Sequence, residues 1–154
     1  MLITHCSLLL FKGDTMFQLK KVISVLTALT FTSMLISLYA VFIYVPVEKV
    51  MGIIQKIFYF HVPLAWVSFL AFFVVFVMSI LYLLKKDHIY DITAYCAAEI
   101  GILFCTLVLI TGPIWARPIW NAWWTWEPRL TTTLILWFIY IAYLMLRHFT
   151  ENKA

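Results

Sequence analysis

Charged residues are scarce in this sequence, and their scarcity excludes a soluble fold. Only 12% of the 154 residues are charged, 65% are hydrophobic, and the mean hydropathy is +1.00. Soluble domains carry about 25% charged and roughly 45–50% apolar residues. A soluble domain could not bury this much apolar surface, so lipid must surround most of the chain. The net charge of +4 comes from scattered lysines and arginines that form no patch, which favours membrane orientation over a nucleic-acid partner.

Cysteine pairs that carry redox or haem chemistry are also missing. Cys6, Cys96 and Cys105 form no CxxC, no CxxCH and no metal-ligand spacing. Cys96 and Cys105 lie on one predicted helix and are separated by ~13 Å along its axis, too far to bridge each other. The sequence therefore contains no covalent haem-attachment motif and no dithiol redox motif.

Four long apolar runs predict an all-α integral membrane protein with four transmembrane helices. The runs cover residues 22–45, 62–84, 96–114 and 130–146, and a bilayer core of ~30 Å needs about 20 apolar residues per helix. The first run is too long for a signal-peptide core and lacks an A-x-A cleavage site. Residues 16–154 are therefore predicted to form a single membrane domain. Residues 1–15 differ from the rest and are interpreted as an N-terminal extension or a misassigned start.

The distribution of lysine and arginine predicts that both termini are cytoplasmic. Seven of these residues lie before the first run, between the second and third, or after the fourth, and the other four lie in the two remaining loops. Cytoplasmic loops carry the excess of positive residues. Residues 46–61 and 115–129 are then expected on the outer face of the membrane.

Tryptophan is concentrated in residues 115–129, called here the Trp-rich segment. Five of the seven tryptophans fall within twelve positions, at Trp115, Trp120, Trp123, Trp124 and Trp126. One interpretation is an aromatic belt at the lipid headgroups. The other is a platform for a large planar ligand, because indole offers a wide apolar face that stacks on other π systems. Five in one segment exceed what anchoring requires, which favours the platform.

Charged residues flank these tryptophans. Arg117 and Arg129 could pair with carboxylates on such a ligand, and contact with headgroup phosphates is the alternative. Glu127 is interpreted as the partner of Arg129 in a local ion pair that fixes the loop. A planar apolar ligand with carboxylates at one edge describes haem well, whereas a quinone lacks the anionic edge.

His61 is the candidate iron ligand, because it is the one histidine of four that is expected on the outer face. Haem iron commonly takes a histidine as axial ligand. Pro63 suits a first helical turn, which predicts that His61 lies near the N-cap of the second helix. The alternative role is an interfacial histidine that is hydrogen-bonded to loop backbone.

Two motifs resemble the CcmC family of haem-handling proteins of System I cytochrome c maturation. The sequence WNAWWTWEPRLT, Trp120 to Thr131, is similar to the tryptophan-rich WWD signature, and FHVPLAW, Phe60 to Trp66, is similar to the motif of the first external histidine. The resemblance extends from about Lys20 to Arg147. It implies that haem b is bound transiently and that His61 ligates its iron. The predicted haem-binding residues are His61, Trp115, Trp120, Trp123, Trp124, Trp126, Arg117, Glu127 and Arg129, and no catalytic residue is assigned.

The resemblance also implies a place in a pathway. Such proteins deliver haem to the chaperone CcmE, are assisted by the small protein CcmD, and belong with the CcmAB transporter in the bacterial or mitochondrial inner membrane. This activity is haem transfer, or lyase-like, rather than conventional enzyme catalysis. The rival interpretations are a non-catalytic membrane scaffold and a quinone-binding subunit, each with an interfacial aromatic loop.

The sequence departs from the family pattern at three points. Glu127 stands where aspartate is usual, and Ala116 and Asn121 stand where glycine is usual, which removes some backbone freedom. Family members have six spans and a second external histidine between the fifth and sixth. The present sequence ends after the fourth predicted span, so the second histidine ligand is expected to be missing and haem affinity to be weaker. Three interpretations are open: a fragment of a split or decayed gene, a minimal form that takes a ligand from a partner or a second copy, or a truncated sequence.

Overall fold

Four helices make up most of the computed structural model, which describes residues 15–151. They are α1 (Thr15–Tyr39), which continues into a π-helical turn (Ala40–Tyr44), α2 (Gln55–Lys85), α3 (His88–Trp120) and α4 (Pro128–Glu151). Each is long and apolar enough to span a membrane. The predicted all-α membrane fold with four spanning helices is therefore confirmed. The predicted N-terminal extension, residues 1–15, falls almost wholly outside the described residues.

Prolines lie inside two of these helices without ending them, so these helices extend beyond the ends predicted from the sequence. Pro63 lies inside α2, and Pro113 and Pro118 lie inside α3. Proline removes a backbone donor and usually ends a helix in water, but exposed backbone is so costly in lipid that the helix continues and neighbouring groups satisfy it. Because α2 begins at Gln55, the prediction that His61 lies near an N-cap is wrong, and His61 lies in the second helical turn.

The Trp-rich segment is only partly a loop. Helix α3 continues through Pro118 to Trp120, and residues 121–127 form the linker to α4. Asn121 ends α3 in the left-handed conformation, with φ 53° and ψ 23°. Glycine is the usual residue in that conformation and asparagine the next most tolerant, so Asn121 can end α3 in this way at little cost.

The chain is divided into two compact units between Lys56 and Ile57. In the first unit, Lys56 Nζ donates a hydrogen bond to the Phe42 carbonyl at 2.7 Å, at the π-helical end of α1. Glu48 accepts from the backbone N–H of Val50 at 2.8 Å and also from that of Met51. The Met51 N–H, followed by those of Val50 and Lys49, holds the pKa of the Glu48 carboxyl below its ordinary value, against a smaller opposing effect of desolvation.

Small residues on α3 form the centre of the second unit. They are buried along one face of the helix, mostly three or four positions apart, with Val108 as the one larger member of that face: Ala94, Ala97, Ala98, Gly101, Cys105, Gly112 and Ala116. Such a face lets helices approach closely in lipid, where packing and hydrogen bonds replace the hydrophobic effect. At Gly101 the approach is so close that a Cβ would lie 2.6 Å from Phe72 Cε1 of α2. Ser68 of α2 donates to the Gly101 carbonyl at 3.1 Å.

Helix α4 packs against the same two helices. Its Tyr140 ring stacks on Phe72, with ring centroids 4.1 Å apart. Near its end, Arg147 donates two hydrogen bonds to the Asp91 carboxylate of α3, at 2.7 and 2.6 Å. This bidentate pair joins the start of α3 to the end of α4, far along both helices from the Trp-rich segment.

Candidate haem-binding cavity

A cavity of about 530 Å³ lies between α2, α3 and α4 beside the Trp-rich segment. Ligand pockets in proteins typically measure ≈300–1,000 Å³ and are mostly apolar with a few polar groups. This cavity fits that description. Its lining residues are His61, Ala65, Phe69, Val108, Leu109, Gly112, Pro113, Trp115, Ala116, Trp120, Trp123, Trp124, Glu127, Arg129, Leu130, Thr132, Thr133 and Leu136.

Seven of the nine residues predicted from the sequence lie on this wall. They are His61, four tryptophans, Glu127 and Arg129. Trp126 and Arg117 are not part of the wall. The Trp126 side chain is instead largely exposed, and its ring contacts Trp124 edge-to-face at 6.1 Å.

The tryptophans of the wall brace one another edge-to-face. Trp115 and Trp120 have centroids 5.2 Å apart and planes at 85°, and Phe58 of α2 contacts Trp115 at 5.9 Å. Edge-to-face contact is a preferred geometry of aromatic pairs. The indole rings thus hold each other in place, and in each edge-to-face pair the edge of one ring lies against the face of the other.

Two indole N–H groups on this wall are buried without a partner. Among the described residues, Nε1 of Trp115 and Nε1 of Trp124 are inaccessible to solvent and make no hydrogen bond, and the same holds for the hydroxyls of Thr125 and Thr131. Buried polar groups in native proteins are nearly always paired. Because solvent does not reach them, the N–H groups of Trp115 and Trp124 are turned away from the open space of the cavity, and the two indoles contribute ring surface to its wall.

His61 is held by a side chain of α3. Its Nδ1 lies 2.8 Å from Oγ1 of Thr111, and Thr111 Oγ1 donates to the Leu107 carbonyl at 2.8 Å. A Cβ added at Gly112 would lie 3.4 Å from Cε1 of the His61 ring. The partner of His61 is thus a helix side chain and not the loop backbone considered from the sequence. The sequence assigned no individual role to Thr111 or Gly112, although the segment from Thr111 to Trp115 also fits the family resemblance.

The two arginines near the cavity differ in their surroundings. Arg117 hydrogen-bonds to Asn121, and its guanidinium lies 5.9 Å from the centre of the Trp123 ring. Arg129 forms the expected ion pair with Glu127 at 3.0 Å, and 80% of the Arg129 side chain is exposed. An exposed pair of this kind is worth at most about 1 kcal/mol. Arg129 can therefore exchange this partner for another anion at little cost.

Four helices are long and apolar enough to span a membrane. Three of them surround an aromatic cavity whose wall includes one histidine. These features define a polytopic integral membrane protein with a ligand cavity between its helices. The family model described as CcmC, Heme exporter protein C, matches residues 10–154, and the chain belongs to this family. The resemblance noted in the sequence is thereby confirmed.

Relatives in bacteria and mitochondria support this assignment. Heme exporter protein C of Rhodobacter capsulatus is 37% identical over 111 residues, which is 72% of this chain and 46% of that protein. The protein of the same name from Paracoccus denitrificans is 36% identical over 107 residues, 70% of this chain and 44% of that protein. A ccmC-like mitochondrial protein of Marchantia polymorpha is 40% identical over 99 residues, 64% of this chain and 43% of that protein. The chain thus spans less than half the length of these relatives. No solved structure matches it.

Proposed function

We propose that this chain binds haem b in the cavity between α2, α3 and α4 and passes it to the chaperone CcmE during cytochrome c maturation. One observation carries the proposal: an imidazole and four indole rings share the wall of a single cavity. Membership of a family whose bacterial members are named heme exporters supports the same ligand.

Each part of haem has a fitting partner on this wall. The His61 imidazole suits the iron as an axial ligand. The indole faces and the aliphatic side chains of the wall suit the apolar macrocycle. The carboxylates suit the exposed guanidinium of Arg129, which lies on the cavity wall. Arg117 and Trp126 lie off the wall, and a supporting role outside the cavity suits them better than direct contact.

Release to the recipient is proposed to occur by ligand exchange at the iron. A side chain of the recipient replaces the His61 imidazole, and this chain forms and breaks no covalent bond with haem. CcmD and the CcmAB transporter are the proposed further partners. The cavity is proposed to face the outer side of a bacterial or mitochondrial inner membrane, with both termini in the cytoplasm or matrix.

The test is the absorption spectrum of the chain, purified in detergent from haem-replete cells. We expect a Soret band that shifts or weakens in His61→Ala and disappears when Trp123 and Trp124 are both replaced by alanine. The matched controls are His88→Ala, at the start of α3, and Trp66→Ala, whose side chain is outside the cavity wall. Both controls should keep the wild-type band.

Two results would count against the proposal. A wild-type chain without a Soret band at any supplied haem concentration would favour the membrane-scaffold interpretation. A bound quinone without iron would favour the quinone-binding interpretation. Transfer is then tested by mixing the haem-loaded chain with haem-free CcmE, and haem should appear on CcmE only when His61 is present on the donor.

A further inference from the structure

We infer that Thr111 is a positioning residue that keeps the proton of His61 on Nδ1 and leaves Nε2 as the nitrogen available to iron. The contact joins α2 to α3 across fifty positions of sequence, at 2.8 Å. The iron-binding half of this inference rests on the proposed function. The half that concerns the tautomer stands on the hydrogen bonds alone.

The Thr111 hydroxyl has one proton for two close contacts, and this decides which nitrogen of His61 carries the ring proton. Thr111 Oγ1 has two neighbours at 2.8 Å, the Leu107 carbonyl oxygen and His61 Nδ1. A carbonyl oxygen only accepts, so the contact with Leu107 is a hydrogen bond only when the single hydroxyl proton points to it. If Nδ1 carries the ring proton, both contacts become hydrogen bonds. If Nε2 carried it instead, one of the two close contacts would have no proton.

A second threonine of α3 makes the same pair of contacts, and there the chemistry of the groups fixes which one donates the hydrogen bond. Thr106 donates to the Ile102 carbonyl at 2.8 Å and contacts Trp137 Nε1 at 2.8 Å. Indole Nε1–H can only donate, so the Thr106 hydroxyl must accept from it. Thr106 thus donates a hydrogen bond to a carbonyl of its own helix and accepts one from a ring N–H of the neighbouring helix. Thr111 repeats this geometry with His61.

The hydrogen bond with Thr111 fixes the orientation of the His61 ring as a ligand. Gly112, the residue after Thr111, has no side chain, and the space beside His61 Cε1 stays open. His61 makes no other side-chain hydrogen bond in the described part of the chain. Metal-binding histidines usually donate their second N–H to a neighbouring acceptor, and loss of that acceptor commonly lowers metal affinity about 10–100-fold. Thr111 occupies that position for His61.

The first measurement is made without haem. The chain is labelled with ring-¹⁵N histidine, and the tautomer of His61 is determined by NMR at a pH where the ring is neutral, with His61→Gln identifying its signals. The wild type and Thr111→Ser, which keeps the hydroxyl, should show the proton on Nδ1. Thr111→Val, which keeps the shape and loses the hydroxyl, should move the population towards Nε2–H, and Thr111→Ala is the second hydroxyl-free variant if valine prevents folding.

The second measurement is a titration with hemin followed at the Soret band. Hydroxyl-free variants should bind roughly tenfold more weakly, and Thr111→Ser should bind within about twofold of the wild type. An unchanged His61 tautomer in the hydroxyl-free variants overturns the inference. A changed tautomer with unchanged hemin affinity overturns its iron-binding half. If the wild-type chain shows the Nδ1–H tautomer but binds no hemin, the proposed function is contradicted instead. The role of Thr111 in setting the tautomer is then upheld by the NMR result alone.

Discussion

At the scale of single residues, the clustered tryptophans support the haem proposal, because Trp115, Trp120, Trp123 and Trp124 all line one cavity wall. Indole rings offer a wide apolar face to a planar ligand. The sequence predicted that these residues belong together, because tryptophan is rare and five of them are clustered. It did not predict Thr111, because a threonine in an apolar helix gives no signal until the facing helix is known.

Arg129 and Arg117 should contribute differently to haem binding. Arg129 lies on the cavity wall and has an exposed, exchangeable partner, whereas Arg117 is not on the wall and contacts Asn121. Because the Arg129 side chain is exposed, a carboxylate contact there is worth at most about 1 kcal/mol, so Arg129→Gln should weaken hemin binding by about fivefold. Arg117→Gln is the matched control and should remain within about twofold in the same titration. Equal losses in both variants would assign the effect to net charge rather than to a carboxylate contact.

At the scale of the helices, proline explains where the sequence analysis was wrong. Pro63 suggested a helix start near His61, and the segment that contains Pro118 was predicted to be a loop, yet both prolines lie inside long helices. The four apolar runs were sufficient to predict the number and type of elements, because an apolar run of about 20 residues indicates a membrane-spanning helix. They could not predict the helix ends, because neighbouring helices satisfy the backbone groups that proline frees.

Gly101 should tolerate no side chain, because Phe72 packs directly against it. A Cβ there would lie 2.6 Å from the Phe72 ring, which is itself buried and stacked on Tyr140. Overpacking of this kind costs typically 1–3 kcal/mol, so Gly101→Ala should lower the free energy of unfolding by about 2 kcal/mol. Unfolding in mixed detergent and SDS measures the change.

Gly112→Ala is the matched control for Gly101→Ala. Its added Cβ would meet its nearest atom, His61 Cε1, at 3.4 Å, an ordinary contact distance. The stability of Gly112→Ala should therefore stay within about 1 kcal/mol of the wild type. Equal destabilisation by both alanines would contradict the tight packing of α2 on α3 at Phe72.

At the scale of the whole molecule, the fold class and the family were predictable from the sequence alone. Low charge and long apolar runs set the class, and the segment from Trp120 to Thr131 identified the family. The cavity was not predictable, because its wall combines residues from three helices. The relation between His61 and Thr111, which are fifty positions apart, depends on how α2 packs on α3.

The orientation of the chain is a further prediction at this scale. In a background with alanine in place of the native cysteines, Trp126→Cys should react with a membrane-impermeant maleimide in intact cells, because its side chain is exposed beside the cavity. Lys85→Cys, at the end of α2, should react only after the membrane is permeabilised. The reverse pattern would contradict the orientation predicted from the positive-inside bias.

A hemin titration of the purified chain in lipid nanodiscs tests haem binding in the cavity most directly, with the Soret band and tryptophan fluorescence recorded together. The predicted result is saturation at one haem per chain, with quenching of the indole emission, and with both signals weakened in His61→Ala but not in His88→Ala. Unsaturable binding, or binding that is the same in His61→Ala as in the wild type, would show that hemin enters the lipid or another surface, and would contradict the cavity as the haem site.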